Sequence, residues 1–240
     1  MIDVDVSEGC ALISTADFAP LTRHDGAFAR ALAAAVIDLS DDDDVKVIVL
    51  RASGPDFAPA DQGTFPRDLR GTVTAWGQDF SASDAIYQAL CFSKKVTITE
   101  VAGVCSGAGS ALVLASDLTI SSEDAQFASP FMCMPESNFV LASLTIRLNR
   151  AKAWAVRGRP IGAHEAMACG LVSRVVSRAG LASATQAAAE YAAAMPLDGI
   201  VMSKMMLQAV LDAHGVGREF DMANLYATSQ RAAGVTAEEE

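Results

Sequence analysis

The stretch that most constrains this chain runs from Thr99 to Asp117 and reads TEVAGVCSGAGSALVLASD. A short apolar run ends in a glycine-punctuated turn, Gly103 to Ser110, and the segment after it is apolar enough to be a buried helix. Glycine admits backbone dihedrals closed to other residues, and small side chains leave room for something to approach the main chain. A helix that starts in such a turn aims its first free N–H groups outward, where they suit a developing negative charge on oxygen. Two readings are open. One is an oxyanion hole built from backbone amides around Ala108 and Gly109, beside Gly107. The other is a tight strand-to-helix turn packed on its own core.

Around this stretch, strand and helix patterns alternate. Residues 2–7 and 10–15 flank Glu8-Gly9 as a β-hairpin. Residues 18–24 break the pattern and read as a loop. Asp25 is placed to cap a helix over about 27–40. Asp41 to Asp44 is a solvated acidic loop. Val45 to Arg51 (VKVIVLR) is a nearly continuous apolar run, as a strand buried on both faces requires. Residues 57–62 form a second small-residue turn, in which Ala60 has an N–H to offer and Pro59 has none. Residues 63–82 read as a loop or short helix over a site, followed by a helix over 83–92.

Further strands are expected at 96–101, 117–121, 126–129 and 171–176, and helices at 139–149, 151–157 and 163–169, the last closed by Gly170. Helices over 180–195 and 201–231 are rich in alanine and methionine and show no clear match to the strands, as expected of a subunit interface. The alternation implies an α/β fold with parallel pairing. It divides into a core over 1–178 and a C-terminal helical region over 179–240.

Composition narrows the function. At 240 residues, about half of them hydrophobic, the chain can bury a sizeable core. A net charge of −11 argues against nucleic acid as a partner. No leader and no membrane span is expected. Five scattered cysteines without CxxC spacing read as reduced, buried thiols of a cytoplasmic protein. His24, His164 and His214 lie far apart and show no metal-ligand spacing, so no metal is expected. Cys105 lacks a neighbouring base and reads as structural. Ser106 and Ser110 equally lack one.

With both turns placed, the chain resembles the crotonase, or enoyl-CoA hydratase/isomerase, superfamily. VKVIVLRASGPDF leading to Ala60-Asp61, AGVCSGAGSALVLASDLTISSEDAQFASP, Arg147-Leu148 with Ala151-Lys-Ala, GRPIGAHEAMACGLVSRVV and Lys204 carry the resemblance over about residues 10–230. It implies a crotonase-like (ββα) superhelix with a C-terminal trimerisation region, assembled as a homotrimer or a dimer of trimers. It also implies an acyl thioester substrate, with an enolate held by the backbone amides of Ala60 and Ala108. Ala58, Asp61, Gly107 and Gly109 flank those donors.

Two departures shape the expected chemistry. Hydratases of the superfamily carry one glutamate where this chain has Ala111 and another where it has Phe131, and neither side chain here can move a proton. The Pro130-Phe131 pair resembles the isomerases, which use an acid further along. A gapless alignment puts that acid at Phe139, and a three-residue deletion puts it at Glu136, whose apolar loop would make it a usable base. Asn138 is a candidate substrate contact. Double-bond isomerisation through Glu136 is therefore the leading expectation. Decarboxylation or dehydration of a pathway-specific thioester, or binding without catalysis, stays open. Arg23 in the early loop, with Arg67 or Arg70, is the candidate contact for coenzyme A phosphates. The chain ends in AEEE where many relatives continue into a basic, aromatic tail, so phosphopantetheine on an acyl carrier protein stays open beside free coenzyme A.

Overall fold

The computed structural model describes residues 1–59, 73–131, 137–223 and 225. The chain enters through an antiparallel hairpin of β1 (Ile2–Ser7) and β2 (Cys10–Thr15). Glu8 and Gly9 both take positive φ, as a two-residue turn matched to strand twist requires. Next come α1 (Ala19–Thr22), α2 (Gly26–Asp41), β3 (Val47–Ala52), α3 (Val73–Cys91) and β4 (Val96–Val101). The central turn is flanked by β5 (Val104–Cys105) and α4 (Ala108–Ala115). Beyond it lie β6 (Leu118–Ser122), β7 (Gln126–Phe127), α5 (Phe139–Ile146) and α6 (Leu148–Arg157). The chain continues through β8 (Ile161–Gly162), α7 (Ala163–Cys169), β9 (Arg174–Val176), α8 (Leu181–Ala193) and α9 (Leu197–His214).

Six strands form one sheet in the order β1-β2-β3-β4-β6-β9, parallel everywhere except the β1-β2 hairpin. Val47 to Leu50 are buried without interruption because both faces of β3 are covered. Side chains alternate between the faces. Ile48 and Leu50 join Ala11 and Ile13 in the main core with α2 and α3. Val47 and Val49 join Ile98 and Ile120 beneath Leu181, Ala184, Ala189 and Ala192 of α8. Each Val or Leu so buried contributes about 1.5–3 kcal/mol.

A second, three-stranded sheet has the order β5-β7-β8 and sits at the turn itself. Every residue of α4 is buried, so the helix can be apolar all round.

Several local expectations hold. Asp25 Oδ1 accepts from the N–H groups of Ala27 and Phe28 and caps α2. Gly170 closes α7 in the left-handed region with φ 92°. Others are corrected. The loop expected over 18–24 contains α1, with Pro20 in its first turn and Asp17 Oδ1 accepting from Ala19 N–H just ahead of it. The helix expected from 83 begins earlier, at Val73.

The single helix expected over 139–149 is broken at Arg147, which takes φ 67°. Its carbonyl accepts from Arg150 and Ala151 to start α6, so the break is stabilised from the C-terminal side. The helix expected over 201–231 ends at Gly215, and a new helical segment runs over 216–223. The expectation that the C-terminal helices lack a match to the strands fails for α8, which covers one sheet face. It holds for α9, whose Met202, Met205, Met206 and Leu207 are exposed. Among the described residues no single helix is long and apolar enough to cross a bilayer.

Candidate active site

The turn before α4 is held by the small sheet. Asp56 Oδ1 accepts from Val104 N–H at 2.7 Å, which pins the turn to the end of the β3 loop. Ala58 bridges to Cys105 in parallel. Ala58 N–H donates to Val104 O, and Ser106 N–H donates back to Ala58 O. The segment that leads towards Ala60 and the segment that leads into Ala108 therefore run side by side in one direction. Ala60 and Asp61 themselves, with Arg67, Arg70 and Glu136, lie outside the described residues.

Gly107 takes φ 50° and ψ −118°, a conformation open to glycine, and turns the chain from strand to helix. Ala108 is the first residue of α4 and is fully buried. Its N–H, one of the donors a helix start leaves without an internal partner, donates to Thr22 Oγ1 at 3.1 Å. Thr22 was not singled out in the sequence, because nothing local marks a threonine 86 residues away as the partner of that amide.

Gly109, expected beside the oxyanion donors, is packed tightly against the core. Its N–H donates to Ser106 O, and a Cβ there would lie 2.5 Å from the Ala58 Cβ. Ala58 is likewise a wall residue, with its N–H and carbonyl both used within the small sheet.

Asn138, expected as a candidate substrate contact, is held by two hydrogen bonds within the fold. Its Oδ1 accepts from Leu141 N–H and caps α5, while its Nδ2 donates to Val216 O at 2.8 Å. Phe131 is half-buried, tilted against Phe139 with ring centres 4.1 Å apart and edge-on to Trp154, so it belongs to an aromatic cluster. Arg23 is exposed at the end of α1, next to Thr22. His24, in the segment expected as a loop, is buried. His164 and His214 are exposed. Burial pushes the Cys105 thiol up to about 12, so it is an inert structural thiol as read from the sequence.

Ala111 projects into a cavity of about 10 Å³ shared with Tyr87, Asn138, Leu141 and Phe220. That is room for about one water-sized guest. One turn before Tyr87 on α3 lies Asp84, a buried carboxylate whose Oδ2 accepts from Gln88 Nε2 at 2.6 Å. Sequence reading missed it. The only available signal was an acid at a core-facing position of the 83–92 helix. A separate cavity of about 70 Å³, lined by Arg150, Trp154, Arg159 and Glu165 among others, shares no lining residue with the Ala108 turn.

Comparison with known proteins agrees with this architecture. A crystal structure of a probable enoyl-CoA hydratase from Mycobacterium thermoresistibile superimposes with a TM-score of 0.80 at 27% identity, covering 98% of each chain. A probable enoyl-CoA hydratase of Rhizobium meliloti (strain 1021) is 30% identical over 218 residues, 87% of this chain and 82% of that protein. A 4-chlorobenzoyl coenzyme A dehalogenase of an Arthrobacter species is 29% identical over 218 residues, covering 85% and 77%. The fold is therefore that of the crotonases. The family described as enoyl-CoA hydratase/isomerase matches residues 25–239, and this chain belongs to it.

Proposed function

We propose that this chain is an enzyme acting on acyl-coenzyme A thioesters, and that it moves a double bond through an enolate. The observation that carries the reading is the parallel run of residues 57–58 beside 104–106, two residues before Ala60 in one segment and two before Ala108 in the other. Two amides so delivered, from Ala60 and Ala108, would donate to one thioester oxygen. Donors aimed where charge develops lower a barrier by roughly 3 kcal/mol each. With the carbonyl polarised, a base removes a proton from C2 of a 3-enoyl thioester and the electrons move onto oxygen. Returning the proton to C4 shifts the double bond into conjugation.

Hydration is disfavoured because Ala111 presents a methyl group to a small, mostly apolar cavity and Phe131 is packed into an aromatic cluster. Glu136 is the proposed proton carrier. Arg23, exposed at the end of α1, is the proposed contact for the cofactor's phosphates. The exposed methionines of α9 are proposed to pack between subunits of a trimer or a dimer of trimers, which sedimentation velocity would resolve.

The test is incubation with 3-enoyl-CoA while monitoring conjugated thioester absorbance. Glu136→Gln is expected to lower the rate roughly a hundredfold or more. Asp84→Asn is expected to leave it largely unchanged, and the reverse result would move the proton to Asp84. A second reading, displacement of halide from an aromatic acyl thioester, is favoured by the similarity to the 4-chlorobenzoyl coenzyme A dehalogenase. Chloride release from 4-chlorobenzoyl-CoA without turnover of the enoyl substrate would select it.

A further inference from the structure

We propose that the Thr22 side chain is a latch on the Ala108 amide, and that a thioester oxygen gains this donor only by displacing the threonine hydroxyl. The inference rests on the reading of Ala108 as a thioester-oxygen donor and deepens it. Thr22 ends α1 and is buried against the turn. Its Oγ1 lies 3.1 Å from Ala108 N, and it is the hydrogen-bond acceptor that the main chain of α4 cannot supply at its own start.

The fit is close. A Cβ on Gly107 would fall 2.8 Å from both Thr22 Oγ1 and Thr22 Cγ2, so glycine at 107 is what lets the threonine reach the amide. A buried N–H left unpaired is costly, and the hydroxyl removes that cost in the ligand-free protein. A ligand carbonyl must then compete with an acceptor already in place. The apparent affinity falls by the fraction of molecules in which the amide is free. Thr22 is thus a positioning residue that acts through Ala108, and it sets how strong an acceptor the ligand must present.

The test compares two probes by isothermal titration: butyryl-CoA, which has the thioester carbonyl, and S-butyl-CoA, a thioether of the same length without it. Thr22→Ala is expected to tighten butyryl-CoA roughly two- to ten-fold, the span of one neutral hydrogen bond, and to leave S-butyl-CoA unchanged. Thr22→Ser keeps the hydroxyl and should match the wild type. If Thr22→Ala does not fold, Thr22→Cys, with a weak sulfur acceptor, takes its place under the same expectation.

The latch is overturned if butyryl-CoA fails to tighten, or if both probes shift together, as a merely structural role would make them. If wild type and all variants bind the two probes equally, the carbonyl is not recognised and the reading of Ala108 fails with the latch. If wild type prefers butyryl-CoA and Thr22→Ala does not tighten it, the latch alone fails.

Discussion

Asn138 and Val216 join two parts of the chain that sequence leaves 78 residues apart: the side-chain amide at the start of α5 donates at 2.8 Å to the carbonyl that opens the 216–223 segment. The same side chain caps α5 through Leu141 N–H. Asn138→Ala removes a cap, worth about 1 kcal/mol. It also strands a buried carbonyl, worth about 1–3 kcal/mol. A total loss of roughly 2–4 kcal/mol is expected in urea unfolding. Asn138→Asp keeps the capping oxygen but sets a second acceptor against the Val216 carbonyl in a buried site, so it should lose at least as much.

Arg51 and Glu100 pair across β3 and β4 through two bonds of 2.7 Å. The glutamate side chain is 8% exposed and the arginine 26%. Removing one partner of a buried pair costs about 3–5 kcal/mol, and the partial exposure of Arg51 puts Glu100→Ala at or below the low end. A double-mutant cycle with Arg51→Met should recover part of the loss, since no lone charge is then left behind.

Gly109→Ala tests the contact between the α4 turn and Ala58. The new Cβ would lie 2.5 Å from the Ala58 Cβ and 3.2 Å from Cys105 Sγ, so the turn or the small sheet must shift. A destabilisation of about 1–3 kcal/mol is expected, with weaker thioester binding because Ala108 moves with it. Ala58→Gly in the same chain removes the opposing methyl and should restore part of both in unfolding and titration experiments.

Cys91 and Cys105 predict an alkaline loss of stability. Burial raises both thiols from an ordinary value near 9 to about 12. Between those values the folded chain keeps protons that the unfolded chain has released. Stability from these groups is therefore complete below about pH 9 and falls as pH rises towards 12, by about 1.4 kcal/mol per pH unit for each thiol. Cys105→Ala should make the slope of urea stability between pH 9 and 11 shallower by about that amount. An unchanged slope would show that the thiol is not held neutral.

The local elements were largely legible in the sequence because each rests on short-range rules. VKVIVLR has to be a doubly covered strand, Asp25 has to cap the helix that starts beside it, and Gly170 can end a helix where other residues would strain. Breaks without a local signature were not legible. Arg147 takes a positive φ although glycine would be the expected residue there, because its carbonyl is captured by α6. Alanine-rich α8 looks like an interface helix until the sheet it covers is in place, since alanine fits equally under a strand or against another subunit.

By itself, then, the order of residues determined a parallel α/β fold, its glycine-punctuated turns and the absence of a carboxylate at position 111, because these depend on patterns within a few residues. Only the tertiary structure decided what each turn meets: Thr22 on the Ala108 amide, Ala58 against Gly109, Asn138 turned to Val216. Those partners are separated by 51 to 86 residues, with Gly109 lying 51 beyond Ala58, Val216 78 beyond Asn138 and Ala108 86 beyond Thr22. Hydrogen-bond and packing choices over such spans are settled by which surfaces the folded layers bring together.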